Sequence, residues 1–382
     1  MKNLKKLSIT IVTHVYATGP SFKLEEYLRG RVGRLVFIGH PFSFANDTRS
    51  FIRVYQDGKL IYDKKFIKWG GSELFFYLKD LALTLFWCLV HNKGNDYFIG
   101  VNNFNAFSGY LLRLIGNVKE VIFYTIDYIP KRFKNEFTNS IYHWLDRFTL
   151  SKSNKVWNLS SIMTDEREKR GVSQKYREKQ IVVPIGTDIS DSPQRINKID
   201  RYRIVFMGHL RQGQGVEMLI SSMKDIVTLI PKANLLIVGG GPLETKLKDL
   251  VKQLRLEKSI NFSGFVEKFS DVQELLNSSA IAVAPYVDDG STYTRYTDPG
   301  KPKDYLASGL PVVITKVPQV AIEIEKNKCG FAINYDKKEL VKALIKLLED
   351  DDLLVSFRRN ALKMAKKYEW KKIFDDAFSQ TI

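Results

Sequence analysis

The stretch YTDPGKPKDYLASGLPVVIT, Tyr296 to Thr315, holds three readings in quick succession. A turn is punctuated by Pro299, Gly300 and Pro302, a helix starts near Pro302, and a β-branched run, Val312 to Thr315, follows at once as a buried strand. Lys301 and Lys303 fall at the positive end of that helix, where the macrodipole disfavours cations. Such an end is a ready anion site, and the Pro/Gly turn lets a ligand approach closely. Two solvated lysines on a loop are the other reading.

Outward from this stretch, the helix-then-strand unit recurs. YRIVFMG, NLLIVGGG, SINFSG, AIAVAPY and LPVVITK are short apolar runs ending in Gly, Pro, Tyr or Lys, with segments of helical period between them. In LETKLKDLVKQLRL the residues Leu243, Leu247, Leu250, Val251 and Leu254 mark one helical face. This alternation predicts a parallel, doubly wound sheet whose strand ends at the carboxyl side carry the ligand. The first half alternates less regularly through LSITIVTH, RLVFIGHP, YFIGVN, VIFYTID, KVWNLS and QIVVPIG, with a hairpin expected in FIRVYQDGKLIYDKKF around its Asp-Gly pair. The polar, aperiodic TDISDSPQRINKID reads as a linker. The expected organisation is an α/β chain of two Rossmann-like domains: residues 1–187, a linker at 188–200, residues 201–365, and a C-terminal helix at 366–382 that packs back on the first domain.

At 382 residues the chain suits two domains of ordinary size. Its only cysteines, Cys88 and Cys329, lack both a disulfide framework and metal-ligand spacing, which fits a reducing cytosol. The N-terminal run reads as a first strand rather than a signal peptide. ELFFYLKDLALTLFWCLVHN is interrupted by Lys79 and Asp80 and reads as a buried helix in preference to a membrane-dipping one. The net charge of +17 is concentrated in residues 1–190, which hold 29 Lys+Arg against 17 Asp+Glu. A positive field of this kind suits an anionic membrane surface or an anionic substrate. Nucleic acid is disfavoured, because the basic excess has no aromatic-interleaved stripe.

PGKPKDYLASGLPVV resembles the signature of the family 4 glycosyltransferases, which have the GT-B fold of two Rossmann-like domains facing each other across a cleft. VVPIGTD, FMGHLRQGQGVEMLI, LLIVGGGPL and INFSGFV before it, and CGFAINY and YEW after it, come in the family's order. The resemblance implies retaining, metal-independent transfer from a UDP- or GDP-sugar to a glycan or lipid-linked acceptor in surface polysaccharide or glycolipid synthesis. No cofactor beyond the nucleotide sugar is implied, and the implied place is the cytoplasm, peripheral on the inner face of the membrane. Asp304 takes the position that bonds the ribose, Phe265 and Val266 those that meet the base, and Gly208, Gly213, Gly215 and Gly240 those of the loops around the diphosphate and sugar. Lys301, beside Gly300, takes that of a lysine near the phosphates.

Departures from the family pattern are specific. Tyr296 stands where the first glutamate of the paired motif would hold the donor sugar. His209 and Gln214 replace the Arg and Lys that clamp the diphosphate, with Arg211 as a substitute cation. His209 either faces a dianion or is a neutral core histidine at a strand end. In the first domain Asp127, followed by Lys131 and Arg132, either receives the acceptor's proton or caps the next segment. His14 is the other candidate there, in a first-strand loop whose glycines are reduced to Gly19. The paired aspartates of VDDGS are read as a surface loop rather than a metal site. A nucleotide-sugar epimerase of the same fold and a weakly catalytic nucleotide-sugar-binding subunit are the competing readings.

Overall fold

The computed structural model describes residues 4–15, 19–68, 70–92, 94–189, 199–287 and 293–382. The linker read at 188–200 falls largely outside them, and both aspartates of VDDGS fall wholly outside. The chain divides into two compact units, one of Met1–Pro184 with Trp370–Ile382 and one of Ile185–Glu369.

Unit 1 is built on strands β1 (Ser8–Val15), β2 (Arg34–Pro41), β3 (Phe51–Gln56), β4 (Lys59–Lys65), β5 (Asn95–Val101), β6 (Val118–Thr125), β7 (Lys155–Asn158) and β8 (Gln180–Val182). They form one sheet in the order β4-β3-β2-β1-β5-β6-β7-β8. Six strands run parallel, and the Asp57–Gly58 hairpin adds β3 and β4 antiparallel at one edge, with both turn residues at positive φ. Helices α1 (Pro20–Leu28), α2 (Glu73–His91), α3 (Asn103–Leu114), α4 (Glu136–Lys152) and α5 (Ser161–Lys169) connect these strands.

Unit 2 carries β9 (Arg203–Met207), β10 (Asn234–Val238), β11 (Ile260–Gly264), β12 (Ile281–Ala284), β13 (Val312–Thr315) and β14 (Gly330–Ile333), parallel throughout in the order β11-β10-β9-β12-β13-β14. Its helices are α6 (Val216–Leu229), α7 (Glu244–Gln253), α8 (Phe269–Asn277), α9 (Lys301–Ala307), α10 (Val320–Lys326), α11 (Lys337–Glu349) and α12 (Asp351–Ala365). Strand order reverses beside β9, between β10 and β12, which is the switch point where open α/β sheets gather ligands. Of the expected face on α7, Leu247 and Val251 are buried and Leu243, Leu250 and Leu254 pack against the same core.

The last helix, α13 (Trp370–Ser379), belongs to unit 1. The Tyr27 hydroxyl on α1 donates to Asp375 at 2.6 Å, and the Trp157 indole donates to the Thr381 hydroxyl at 3.0 Å. Ile373, Phe374, Ala377 and Phe378 are buried. Unit 2 is therefore one continuous segment, whereas unit 1 needs both ends of the described chain.

One expectation is reversed by the structure. α2 is not a buried helix: it buries Phe76, Lys79, Asp80, Leu83, Thr84, Trp87 and Cys88, and exposes Leu74, Phe75, Leu78, Phe86, Leu89 and Val90. The two charged residues that interrupt its apolar run point inward because His14, His40 and Ser50 meet them there. At 19 residues it is the one helix among the described residues long and apolar enough to cross a membrane.

Gly215 supplies the left-handed residue (φ 69°) that starts α6, and a Cβ there would lie 1.7 Å from the Pro285 carbonyl oxygen. Gly215→Ala is expected to destabilise unit 2 by at least about 2 kcal/mol, from combined backbone strain and overlap, measured as a shift in urea midpoint at unchanged slope.

Candidate active site

In unit 2 α9 is tied to the ends of β9 and β12, which are neighbours in the sheet. The Tyr305 hydroxyl accepts from the Met207 backbone N–H at 2.7 Å, and this fastens α9 to the end of β9. Lys301, the first residue of α9, then reaches back over the strand ends. Its ammonium lies 4.8 Å from the Phe206 ring centroid and 5.2 Å from that of Tyr286, and it donates to the Gln214 side-chain oxygen. Gly208 is what admits it: a Cβ there would sit 2.6 Å from the Lys301 nitrogen. Burial, helped by the nearby charge of Arg211, brings the Lys301 ammonium down to about 7. It is poised between its charged and neutral forms, and an arriving anion would favour the charged one.

Lys303 behaves differently. It is 0% exposed, paired with Asp298 and 4.7 Å from the Tyr368 ring centroid, and Asp298 also accepts from the Ile185 N–H at 2.6 Å. The reading of two solvated lysines is thus corrected: one is an internal brace of the turn and the other lines the cradle. Asp304 accepts from the Thr187 hydroxyl at 2.8 Å, and burial, against that hydrogen bond, pushes its carboxyl up to about 7.

The other sequence-predicted positions surround this cradle unevenly. His209 is exposed, which removes the core-histidine reading. Arg211 donates to the Tyr293 hydroxyl and lies over its ring, 5.0 Å from the centroid. Gly240 lies next to Phe265, whose Cβ would be 3.6 Å from a Cβ at that glycine. Phe265 is 81% exposed at the end of β11, a flat apolar face held out to solvent, followed by half-buried Val266. Gly213 takes φ 83° and accepts from the Val287 N–H at 3.0 Å. Half-buried Tyr296 sits one turn before α9, its N–H bonded to the Tyr293 carbonyl at 2.9 Å, and Gly300 caps α9.

Unit 1 has its own cavity, about 460 Å³, at the ends of β1, β5 and β6. Asp127 and Arg132 form an ion pair in its wall, and Asn135, not Asp127, caps α4. His14, Phe42, Tyr77, Phe104, Phe133 and Tyr142 give the cavity aromatic walls, while Asn102, Asn103 and Thr138 supply polar groups. Its apolar side is Leu74 on α2 and Ile141 and Leu145 on α4. Asn105 lies 3.1 Å from the Nδ1 of His14, and the Asp80 carboxylate faces its Nε2 at an ion-pair distance of 3.3 Å. Burial alone would raise the Asp80 carboxyl, but His14 and His40 outweigh it and hold it well below the usual range. His14 is thereby locked in orientation as a wall of the cavity.

Residues 188–364 match the model for glycosyl transferases group 1. This segment is a group 1 glycosyl transferase domain. An uncharacterized glycosyltransferase of Haemophilus influenzae is 27% identical over 60% of this chain and 63% of its own length. Of the curated relatives matched, two others are covered over 43% and 48% of their length. Among solved structures, Anabaena HepE in complex with UDP superposes with a TM-score of 0.71 at 14% identity, over 98% of this chain and 99% of that one. The apo lipopolysaccharide outer core galactosyltransferase WaaB superposes at 0.66 and 12% identity, over 98% and 100%. The chain has the GT-B fold of these neighbours.

Within this glycosyl transferase domain, sequence reasoning named Lys301 and Asp304 but missed Asp298, Tyr305 and Tyr293. Asp298 is five residues from Lys303 across a Pro/Gly turn, a spacing with no period to signal it. In unit 1 it missed Asp80 and Asn105, whose link to His14 spans 66 and 91 positions.

Proposed function

We propose that the chain is a retaining, metal-independent glycosyltransferase that moves a sugar from a UDP- or GDP-sugar to a glycan or lipid-linked acceptor in surface polysaccharide or glycolipid synthesis. The observation that carries this is Lys301, a titratable cation set over a glycine at the β9 end of a group 1 glycosyl transferase domain. A diphosphate entering there meets Lys301, with the α9 backbone and the Arg211 side chain as further positive groups. Stabilising the charge that builds on the departing diphosphate is the main electrostatic task of the reaction, and Lys301 performs it best when protonated. Asp304 accepts from the ribose hydroxyls and exposed Phe265 lies against the base. The unit 1 cavity, with sugar-sized volume, aromatic walls and the Asp127–Arg132 pair, takes the acceptor, and Asp127 orients its hydroxyl. The proposed location is the cytoplasmic face of a membrane.

A specific observation favours a second reading, a nucleotide-sugar-binding subunit of low activity: Gln214 occupies a clamp-cation position and itself binds Lys301. Calorimetric titration with UDP- and GDP-sugars, followed by product analysis, separates the two. One donor is expected to bind, with at least about tenfold weaker binding in Asp304→Ala, and to be transferred with its anomeric configuration kept in the presence of EDTA. Binding without transfer favours the second reading. Binding of no donor overturns both, and loss of transfer in EDTA overturns metal independence.

A further inference from the structure

The reversed helix α2 defines a surface that the proposed reaction does not by itself require. Its exposed apolar residues run along one face, with Leu74, Leu78, Phe86 and Leu89 between 43% and 67% exposed. On α4, Phe137, Ile141 and Trp144 repeat at helical spacing and are 74%, 47% and 61% exposed. The two stripes flank one opening, because the unit 1 cavity is lined by Leu74 and Tyr77 of α2 and by Ile141 and Leu145 of α4. Beside them the charge is positive. The segment 59–68 carries four lysines against one acid, with Lys65 paired to Asp47 at 3.0 Å, and it is held near the end of α2 by Tyr62, whose ring lies 4.4 Å from that of His91. Lys131, which pairs with Glu136 at 3.0 Å, and Lys134 precede α4 and are exposed.

We infer that the exposed faces of α2 and α4 insert into one leaflet of an anionic phospholipid bilayer, so that the unit 1 cavity opens toward the lipid. The apolar side chains enter the acyl region, the lysines meet lipid phosphates, and the ends of α2 stay parallel to the surface. Crossing is prevented because Lys79 and Asp80 are fixed inward and Leu83, Trp87 and Cys88 are part of the unit 1 core. The acceptor is then an amphipathic lipid that keeps its tail in the leaflet while its polar head enters beside Asp127 and Arg132. This choice of substrate rests on the proposed glycosyl transfer, whereas the docking surface does not.

The full chain is tested by co-flotation with phosphatidylcholine vesicles containing a quarter phosphatidylglycerol, at low and high salt, against Leu78→Asp/Phe86→Asp. Both substituted residues lie outside the cavity lining and are more than half exposed, so the melting profile and the binding of UDP or GDP report that the fold is kept. The wild type is expected to float with the anionic vesicles and to retain part of its binding at high salt, and the variant to bind at least about tenfold more weakly. Equal flotation of both proteins overturns the inference, as does wild-type binding that vanishes at high salt. Failure to float, with a self-association that the variant dissolves, also overturns it and assigns the face to a second copy. Sugar transfer to a water-soluble acceptor without vesicle binding overturns the surface and leaves the proposed function standing. Vesicle binding without transfer of any donor supports the surface and counts against the function.

Discussion

Lys301→Met is expected to lower turnover about 100-fold while making the protein more resistant to heat. The two effects come from one cause. The Lys301 ammonium lies among Phe206, Tyr286 and Gln214, and burial holds it at about 7 in the folded chain against an ordinary lysine value of 10.5. For a base whose folded-state value is depressed, the cost to stability grows as pH falls from the unfolded value and is complete below the folded one. Methionine fills similar space without that cost. The gain in melting temperature should therefore be full below pH 7 and should fade toward pH 10. A diphosphate reverses the balance by favouring the ammonium, so donor binding at pH 8 should take up protons in the wild type. Asp304, also near 7, is mostly ionised at that pH and contributes little. Calorimetry in buffers of different ionisation enthalpy measures the uptake. Unchanged uptake in Lys301→Met, or unchanged turnover, would remove Lys301 from the diphosphate site.

Asp298→Ala is expected to be the most destabilising single change in unit 2, costing about 3 to 5 kcal/mol. It strands the Lys303 ammonium, which is 0% exposed and has Asp298 as its ion-pair partner, and it leaves the Ile185 N–H without the carboxylate that accepts from it at 2.6 Å. The double variant Asp298→Ala/Lys303→Met should recover most of this loss. A remainder of about 1 to 3 kcal/mol is expected from the uncompensated N–H. Chemical denaturation of the two single variants and the double variant forms the cycle. Additive losses would show that the two side chains are not coupled.

Both lysines lie in the segment that first suggests the fold, and their contrast marks how far sequence reaches. The strands and the alternation were legible because short apolar runs such as Ile204–Phe206 and Val312–Ile314 end in turn residues at regular intervals. Lys303 was not: a lysine is exposed by default, and its burial depends on Asp298 being folded over it by a turn with no periodic signature. α2 shows the same limit in a helix. It has apolar residues on every side, so composition does not say which face turns inward. The choice is made by His14 on β1 and His40 on β2, which draw in Asp80 from strands far away in sequence. The cavity in unit 1 was hidden for that reason too, its walls coming from α2, α4 and three strand ends. Asp127 and Arg132 were visible as cleft candidates, but their mutual pairing was not.

The division of the chain also sets an order in time. Unit 2 is spelled out without interruption from Ile185 to Glu369, while unit 1 waits for Trp370–Ile382 to supply α13. At translation rates of about 5 to 20 residues per second, roughly 10 to 40 seconds separate the emergence of the last β-strand of unit 1 from that of α13. During that interval Tyr27 and Trp157 lack the Phe378 ring that each meets in the finished fold, at 5.9 and 5.3 Å between centroids. The unit made first is thus the one completed last, and a nascent chain carries an unfinished apolar seam through the synthesis of its neighbour.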